Sequence, residues 1–338
     1  MIPMTTPAAS DYHDRKTGLV LFGVLEIAIG FICGLLILLM LAGLAVAGRG
    51  PNPPPASSSV ALAITVYALL AGGFVWLGIG SILARRWARA ILLCFSAVAL
   101  AGGALGCASM VFILPHMFDA VAQQNPQAIQ PGAMRVAKVV AAVFMVIVYI
   151  LIPGALFLFY RSPHVRRTCE VRDPVERWTD RCPLPVLAFS MVMGLAGIAF
   201  LGLTARFHVF PVFGTFVAGG TGILLCLLVG GVMLYLSWGF YRLRIRAWWI
   251  ALALQVLWAL SSLATFWRSN IADLYARMGA DPRTAAMSAQ LFAEPALRWM
   301  IALSVLGWVV WLLCLRRYFD SPQVPPVLSG GEEPPPPL

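Results

Sequence analysis

Few residues in this chain have both the type and the spacing to do chemistry. Its four histidines stand at 13, 116, 164 and 208, which matches no His-Glu-x-x-His metal motif. No phosphate loop and no Gly-x-Ser-x-Gly nucleophile turn occurs among the 338 residues. Of seven cysteines, Cys33, Cys94, Cys107, Cys226 and Cys314 fall in apolar runs, where a thiol acts as a small apolar group. Cys169 and Cys182 lie in a polar stretch and form a candidate thiol pair. With His164 and His13 they supply four candidate ligands, but structural zinc sites place cysteines two to four residues apart. The sequence therefore points to no catalytic group, no metal and no cofactor.

One carboxylate stands out. Glu26 lies inside the apolar run Leu19–Ala47, and an ionisable residue at membrane depth is a functional candidate by default. Two readings stay open. Ile27–Ala47 is long enough to span alone, which leaves Glu26 near the headgroups and tolerant of Glu26→Gln. Alternatively the carboxylate faces the bundle interior, where it binds a proton or a ligand. No second Asp or Glu falls in a span, so a carboxylate relay is missing. Gln255, the other mid-span polar residue, is explained by interhelical hydrogen bonding.

These residues are positioned by an unusually apolar chain. It is 60% hydrophobic and only 11% charged, with mean hydropathy +0.86. A soluble domain carries about 25% charged residues, so this chain cannot cover a water-facing surface. The net charge of +10 does not imply nucleic acid, because lysine and arginine gather in the cytoplasmic loops of membrane proteins.

A bilayer core about 30 Å thick needs roughly 20 apolar residues per helix. Eight stretches qualify: Leu19–Ala47, Val60–Leu83, Ala90–Leu114, Val139–Phe159, Leu184–Ala205, Pro211–Gly239, Ala247–Trp267 and Ala296–Leu315. Ala45-Val46-Ala47 has the look of a signal cleavage site, but the run before it exceeds the 7–15 residues usual for such a region. The first span is therefore expected to stay attached. With both termini inside, sixteen Lys and Arg face the cytoplasm and eight face outward. That bias predicts a plasma (inner) membrane protein with both ends cytoplasmic.

The chain also echoes itself. Ala84-Arg85-Arg86-Trp87-Ala88-Arg89-Ala90 follows the second span, and Tyr241-Arg242-Leu243-Arg244-Ile245-Arg246-Ala247 follows the sixth. Phe159-Tyr160-Arg161-Ser162-Pro163 ends the fourth, and Tyr318-Phe319-Asp320-Ser321-Pro322 ends the eighth. The expected fold is an all-α polytopic membrane protein of two tandem four-helix repeats, related by a parallel pseudo-two-fold axis. Its segments are a cytoplasmic N-terminal stretch 1–17, a first membrane unit 18–163, an Arg-rich linker 164–183, a second unit 184–320 and a Pro-rich tail 321–338. The linker reads as a solvated surface helix or ordered loop. Gly48–Ser59 reads as a stiff polyproline loop, and the tail as a segment unable to pack a core. Phe118–Ala122 and Ile271–Tyr275 read as short amphipathic turns on the outer surface.

The phrases Trp178-Thr179-Asp180-Arg181-Cys182-Pro183-Leu184-Pro185-Val186 and Arg246-Ala247-Trp248-Trp249 resemble those of uncharacterised multi-pass bacterial inner-membrane proteins. They cover under a tenth of the chain, and the resemblance implies no activity. The expected role is a non-enzymatic membrane scaffold or accessory subunit. The alternative is a transporter or channel for a neutral or weakly polar solute. Its expected partners are the lipid bilayer and either another membrane protein or a second copy of itself; nucleic acid is not expected.

Overall fold

In apolar surroundings a chain must pair its backbone groups within each segment, and long runs of Leu, Val, Ile and Ala do so as helices. A computed structural model describes residues 13–47, 57–124, 131–204, 210–268, 289 and 295–319. Among these are eight helices long and apolar enough to cross a membrane. The protein is a mostly helical, multi-pass chain.

Helices α1 (Lys16–Ala47) and α2 (Ser57–Ile82) form a tightly packed hairpin. Helix α3 (Arg86–Gln124) follows, and then α4 (Pro131–Val146). A π-helical turn at Ile147–Leu151 links α4 to α5 (Ile152–Arg161). Helix α6 (Pro163–Arg172) and a 3-10 turn (Trp178–Arg181) make the linker. A second tight hairpin consists of α7 (Leu184–Thr204) and α8 (Gly219–Tyr241), followed by α9 (Ile245–Arg268) and α10 (Pro295–Leu315). A 3-10 turn at Arg316–Tyr318 closes the described chain.

Helix α3 is the hub. It packs on α2 and α5 on one side and on α7 and α10 on the other. Its Ile91, Leu92 and Leu93 belong to the core around α1 and α5, while Ala90 and Cys94 belong to the core of α7–α10. Successive residues of one helix point to different sides, so one helix closes both cores.

Both arginine turns are built alike. Ala84 and Leu243 have φ of 52° and 51°. Arg85 N donates to Gly80 O and Arg244 N to Gly239 O, each at 2.9 Å. That is the paired-bond cap that ends a helix on a left-handed residue. Gly80 and Gly239 are required by the close approach of the next helix. A Cβ there would stand 2.7 Å from Ala88 Cβ and 2.5 Å from Ala247 Cβ respectively.

Three expectations need correction. The sixth span does not begin at Pro211. Strands β1 (Phe210–Val212) and β2 (Thr215–Val217) pair antiparallel there, and α8 starts only at Gly219. Phe213 and Gly214, with φ of 43° and 90°, make the two-residue turn whose twist suits a hairpin; hydropathy alone does not register it. Helix α3 does not stop before Pro115 but continues through it to Gln124. A proline costs a helix one backbone bond, which membrane helices tolerate, so Phe118–Ala122 extends the helix. The linker is less solvated than its charge suggests, because α6 buries Val165, Thr168 and Cys169. Ile271–Tyr275, residues 48–56 of the Gly48–Ser59 stretch and the tail 321–338 lie outside the described residues, whereas Ser57–Ser59 are no loop but the first turn of α2.

Candidate functional site

Glu26 is fully enclosed, with 0% of its surface exposed. The α1–α2 hairpin sets this up. At the crossing the helices touch backbone to backbone, since a Cβ on Gly78 would fall 2.6 Å from Gly23 O. Ser81, a turn further along α2, then reaches α1, and its Oγ donates to the Leu19 carbonyl at 3.1 Å. Tyr160 enters from α5, also at 0% exposure. Its hydroxyl lies 2.6 Å from Ser81 Oγ and donates to Glu26 Oε1 at 2.9 Å. Phe22 stacks on Phe159, ring centroids 4.1 Å apart, and closes the cluster from the side. Glu26 Oε2 has no hydrogen-bond partner among the described residues.

Ser81 and Tyr160 each stand one residue before the end of their helix, so the carboxylate lies near the arginine-rich ends of the spans. It is nevertheless packed inside the bundle and bonded. The sequence reading did not single out Ser81 or Tyr160. Tyr160 sits in the quoted phrase ending the fourth span, but its partner is 134 residues away in the chain, and no local pattern carries that pairing.

Cys169 and Cys182 do come together around one feature, a cavity of about 240 Å³ at the arginine-side ends of α3 and α7. Both thiols are free and almost wholly buried. Burial pushes the Cys169 thiol up to about 11 and the Cys182 thiol up to about 12. Neither is a poised nucleophile. His13 and His164 stand with ring centroids 5.7 Å apart, but no group of three metal-ligating side chains forms among the described residues. His208 lies outside them.

A charged layer surrounds that cavity. Asp173, 2% exposed, accepts two bonds from Arg177, at 2.8 and 3.2 Å, and stands 3.6 Å from Arg85. The Arg177 guanidinium holds the Asp173 carboxyl below its ordinary value. Asp173 Oδ2 also accepts Arg86 N at 3.3 Å, tying the linker to the first residue of α3. Arg172 holds Asp14 at 2.6 Å and fixes the approach to α1. The linker thus clamps the starts of both α1 and α3.

A second cavity, about 570 Å³, opens between α7, α8, α9, α10 and the β hairpin. Phe189, Met193, Trp258 and Trp308 give it an apolar wall, with Gln255, Ser261 and Ser304 as its polar points. Gln255 therefore faces a space as well as its neighbours. The hairpin tip is pinned over this space, with Phe213 N bonded to Ser261 Oγ and Gly214 N to Thr265 Oγ1, both at 3.1 Å.

The chain matches no protein-family model, no curated protein and no solved structure.

Proposed function

We propose that the protein is a non-enzymatic component of the plasma (inner) membrane, a scaffold or accessory subunit with both termini in the cytoplasm. The observation that carries this reading is how the spans use their polar side chains. Ser81, Ser96, Ser190, Thr204, Thr265 and Trp248 each bond a main-chain carbonyl. Those of Ser81, Ser190 and Trp248 cross to another helix and hold the two together, while those of Ser96, Thr204 and Thr265 stay within their own helix; none of the six leaves its donor to a polar path. Large apolar side chains face outward along α4, where Val139, Val140 and Phe144 are each about 60% exposed, a surface for lipid or for another membrane helix.

The architecture behind this is two tandem four-helix units about an axis normal to the membrane. Supporting it are the paired arginine turns, with matching bonds and matching left-handed residues 159 positions apart. At the same spacing, Tyr160 corresponds to Phe319 and Leu156 to Leu315, and both leucines are buried. The excess of arginine on the side of these turns supports a cytoplasmic placement.

A second reading, a transporter or channel for a neutral or weakly polar solute, is favoured by the 570 Å³ cavity with Gln255 on its wall. One pair of measurements separates the two. Photo-crosslinking residues at Val140 or Phe144 should give discrete protein adducts in native membranes. Proteoliposomes should take up glycerol and urea no faster than empty vesicles. Uptake abolished by Gln255→Leu would replace the first reading by the second, and smeared lipid adducts alone would remove the first.

A further inference from the structure

Four buried side-chain polar atoms among the described residues have no hydrogen-bond partner. One is Glu26 Oε2. The other three, Arg86 Nε, Arg89 Nε and Thr179 Oγ1, all belong to residues that line the 240 Å³ cavity. All three can donate. Buried donors without acceptors are uncommon in folded proteins, and a cluster of them around one space calls for an explanation.

The charges around the cavity narrow it. Glu170 is held by Arg166 at 2.8 Å and Arg167 at 3.6 Å. Asp180 accepts Arg177 N at 2.9 Å and stands 4.0 Å from Arg86. Arg86 also donates to the Glu170 carbonyl at 3.3 Å. Both acidic groups on the wall are therefore already matched. The Arg89 side chain is mostly buried, its Nε has no hydrogen-bond partner among the described residues, and the carboxylates whose charge it feels, Glu170 and Asp180, are bonded to Arg166 and to Arg177 N instead. Thr179 is 1% exposed and offers its hydroxyl to nothing else. An arginine with an orphaned Nε, sharing a cavity with a second orphaned guanidinium nitrogen and a buried hydroxyl, is built to receive an oxyanion.

We infer that this cavity binds a phosphate group, with Arg89 as its principal cation and the Thr179 hydroxyl and Arg86 as supporting donors. Arg86 opens α3 and Leu184 opens α7, so the site lies at the ends of the spans, at headgroup depth. Basic pockets between membrane helices at that depth take lipid headgroups. The phosphate is either the headgroup of an acidic phospholipid or the free inorganic ion, and the chemistry of recognition is shared. The inference does not depend on the scaffold reading.

The experiment uses the full-length protein in detergent, with two arms. Native mass spectrometry measures retention of phosphatidic acid against phosphatidylcholine. Thermal melting compares sodium phosphate with sodium chloride at equal ionic strength. Arg89→Gln should weaken the interaction at least ten-fold, and Arg242→Gln, the same charge change at an exposed site in the other arginine turn, should leave it unchanged. Selective retention of phosphatidic acid identifies the lipid source. Stabilisation by phosphate alone identifies the free ion. Where Arg89→Gln does not fold, Thr179→Val keeps the side-chain shape, loses only the hydroxyl, and should still weaken binding. Equal binding by the wild type and the folded variant in both arms, or an equal loss in Arg242→Gln, would overturn the inference.

Discussion

The two helical hairpins solve the same packing problem with different side chains. In α1–α2 the backbones meet at Gly23 and Gly78, whose missing Cβ atoms allow direct contact. In α7–α8 Gly197 and Gly230 approach somewhat less closely, a Cβ on Gly197 falling 3.1 Å from Gly230 O, and Ser190 adds a bond, its hydroxyl donating to Ser237 O at 2.7 Å. The contrast is sharper one turn further on. After Gly80 the first hairpin places Ser81, bonded to Tyr160 and through it to Glu26. After Gly239 the second places Phe240, also 0% exposed, edge-on to Phe319 at 5.3 Å. One fold position takes a polar chain in one hairpin and an aromatic pair in the other. Polarity at that position is thus not demanded by the packing of such a hairpin. The first hairpin carries a carboxylate that the second does without.

The comparison breaks first, and with the largest effect, at the glycine contact. Gly78→Leu must drive a side chain into Gly23 O and Ile27, and should cost about 3 kcal/mol, read as a lowered denaturation midpoint in detergent. A wild-type midpoint would mean the backbones are not in contact. Next comes the polar chain. Tyr160→Phe leaves Glu26 enclosed with no donor and should cost about 2 kcal/mol. The combined replacement Glu26→Met, Ser81→Ala and Tyr160→Phe should recover most of that loss, because removing every partner of a buried polar set is far less costly than removing one. A triple variant less stable than Tyr160→Phe would show that the polar chain is a structural need of the first hairpin.

Smaller effects follow. Ser190→Ala removes one interhelical bond and should cost about 0.6 kcal/mol, the usual size of such bonds in membranes. The linker clamp should show in the pH dependence. Arg177 holds Asp173 below the ordinary 3.8, so its contribution is complete above that value and is lost as pH falls through the lower, folded-state value. Asp173→Asn should flatten the acid limb of a melting-temperature profile, and an unchanged limb would place the acid sensitivity elsewhere. Last, Cys169 and Cys182 should react slowly with an impermeant maleimide at neutral pH, only after cells are permeabilised, and faster as pH rises toward 11. Rapid labelling of intact cells would overturn both their burial and the proposed orientation.

Much of the fold was legible in the chain because it rests on local composition. Long apolar runs give helices whatever their neighbours, and arginines mark the turns between them. Ala84-Arg85-Arg86 and Leu243-Arg244-Ile245 both read as turns, and both are. The β hairpin at 210–217 was misread for the same reason. Its Phe and Val residues add to the apolar run, while the feature that decides it is backbone conformation at Phe213 and Gly214.

The candidate sites were legible only in part. Glu26 was visible as a lone carboxylate in an apolar run. Cys169 and Cys182 were visible as thiols in a polar stretch. Whether each was buried, and against what, was set by contacts between helices far apart in sequence. Arg89 read as one of many arginines in a basic turn; its orphaned Nε and the cavity it lines appear only when α6 and the Trp178–Arg181 turn fold beside it. By itself the sequence determined that the chain crosses a bilayer, where it turns and which residues carry charge, since each depends on residues within a single helix. The tertiary structure decided which charge is enclosed, which is matched and which faces an open cavity. Those depend on what a helix brought from elsewhere in the chain places within 3 or 4 Å, and a hydrogen bond or ion pair is decided at that range.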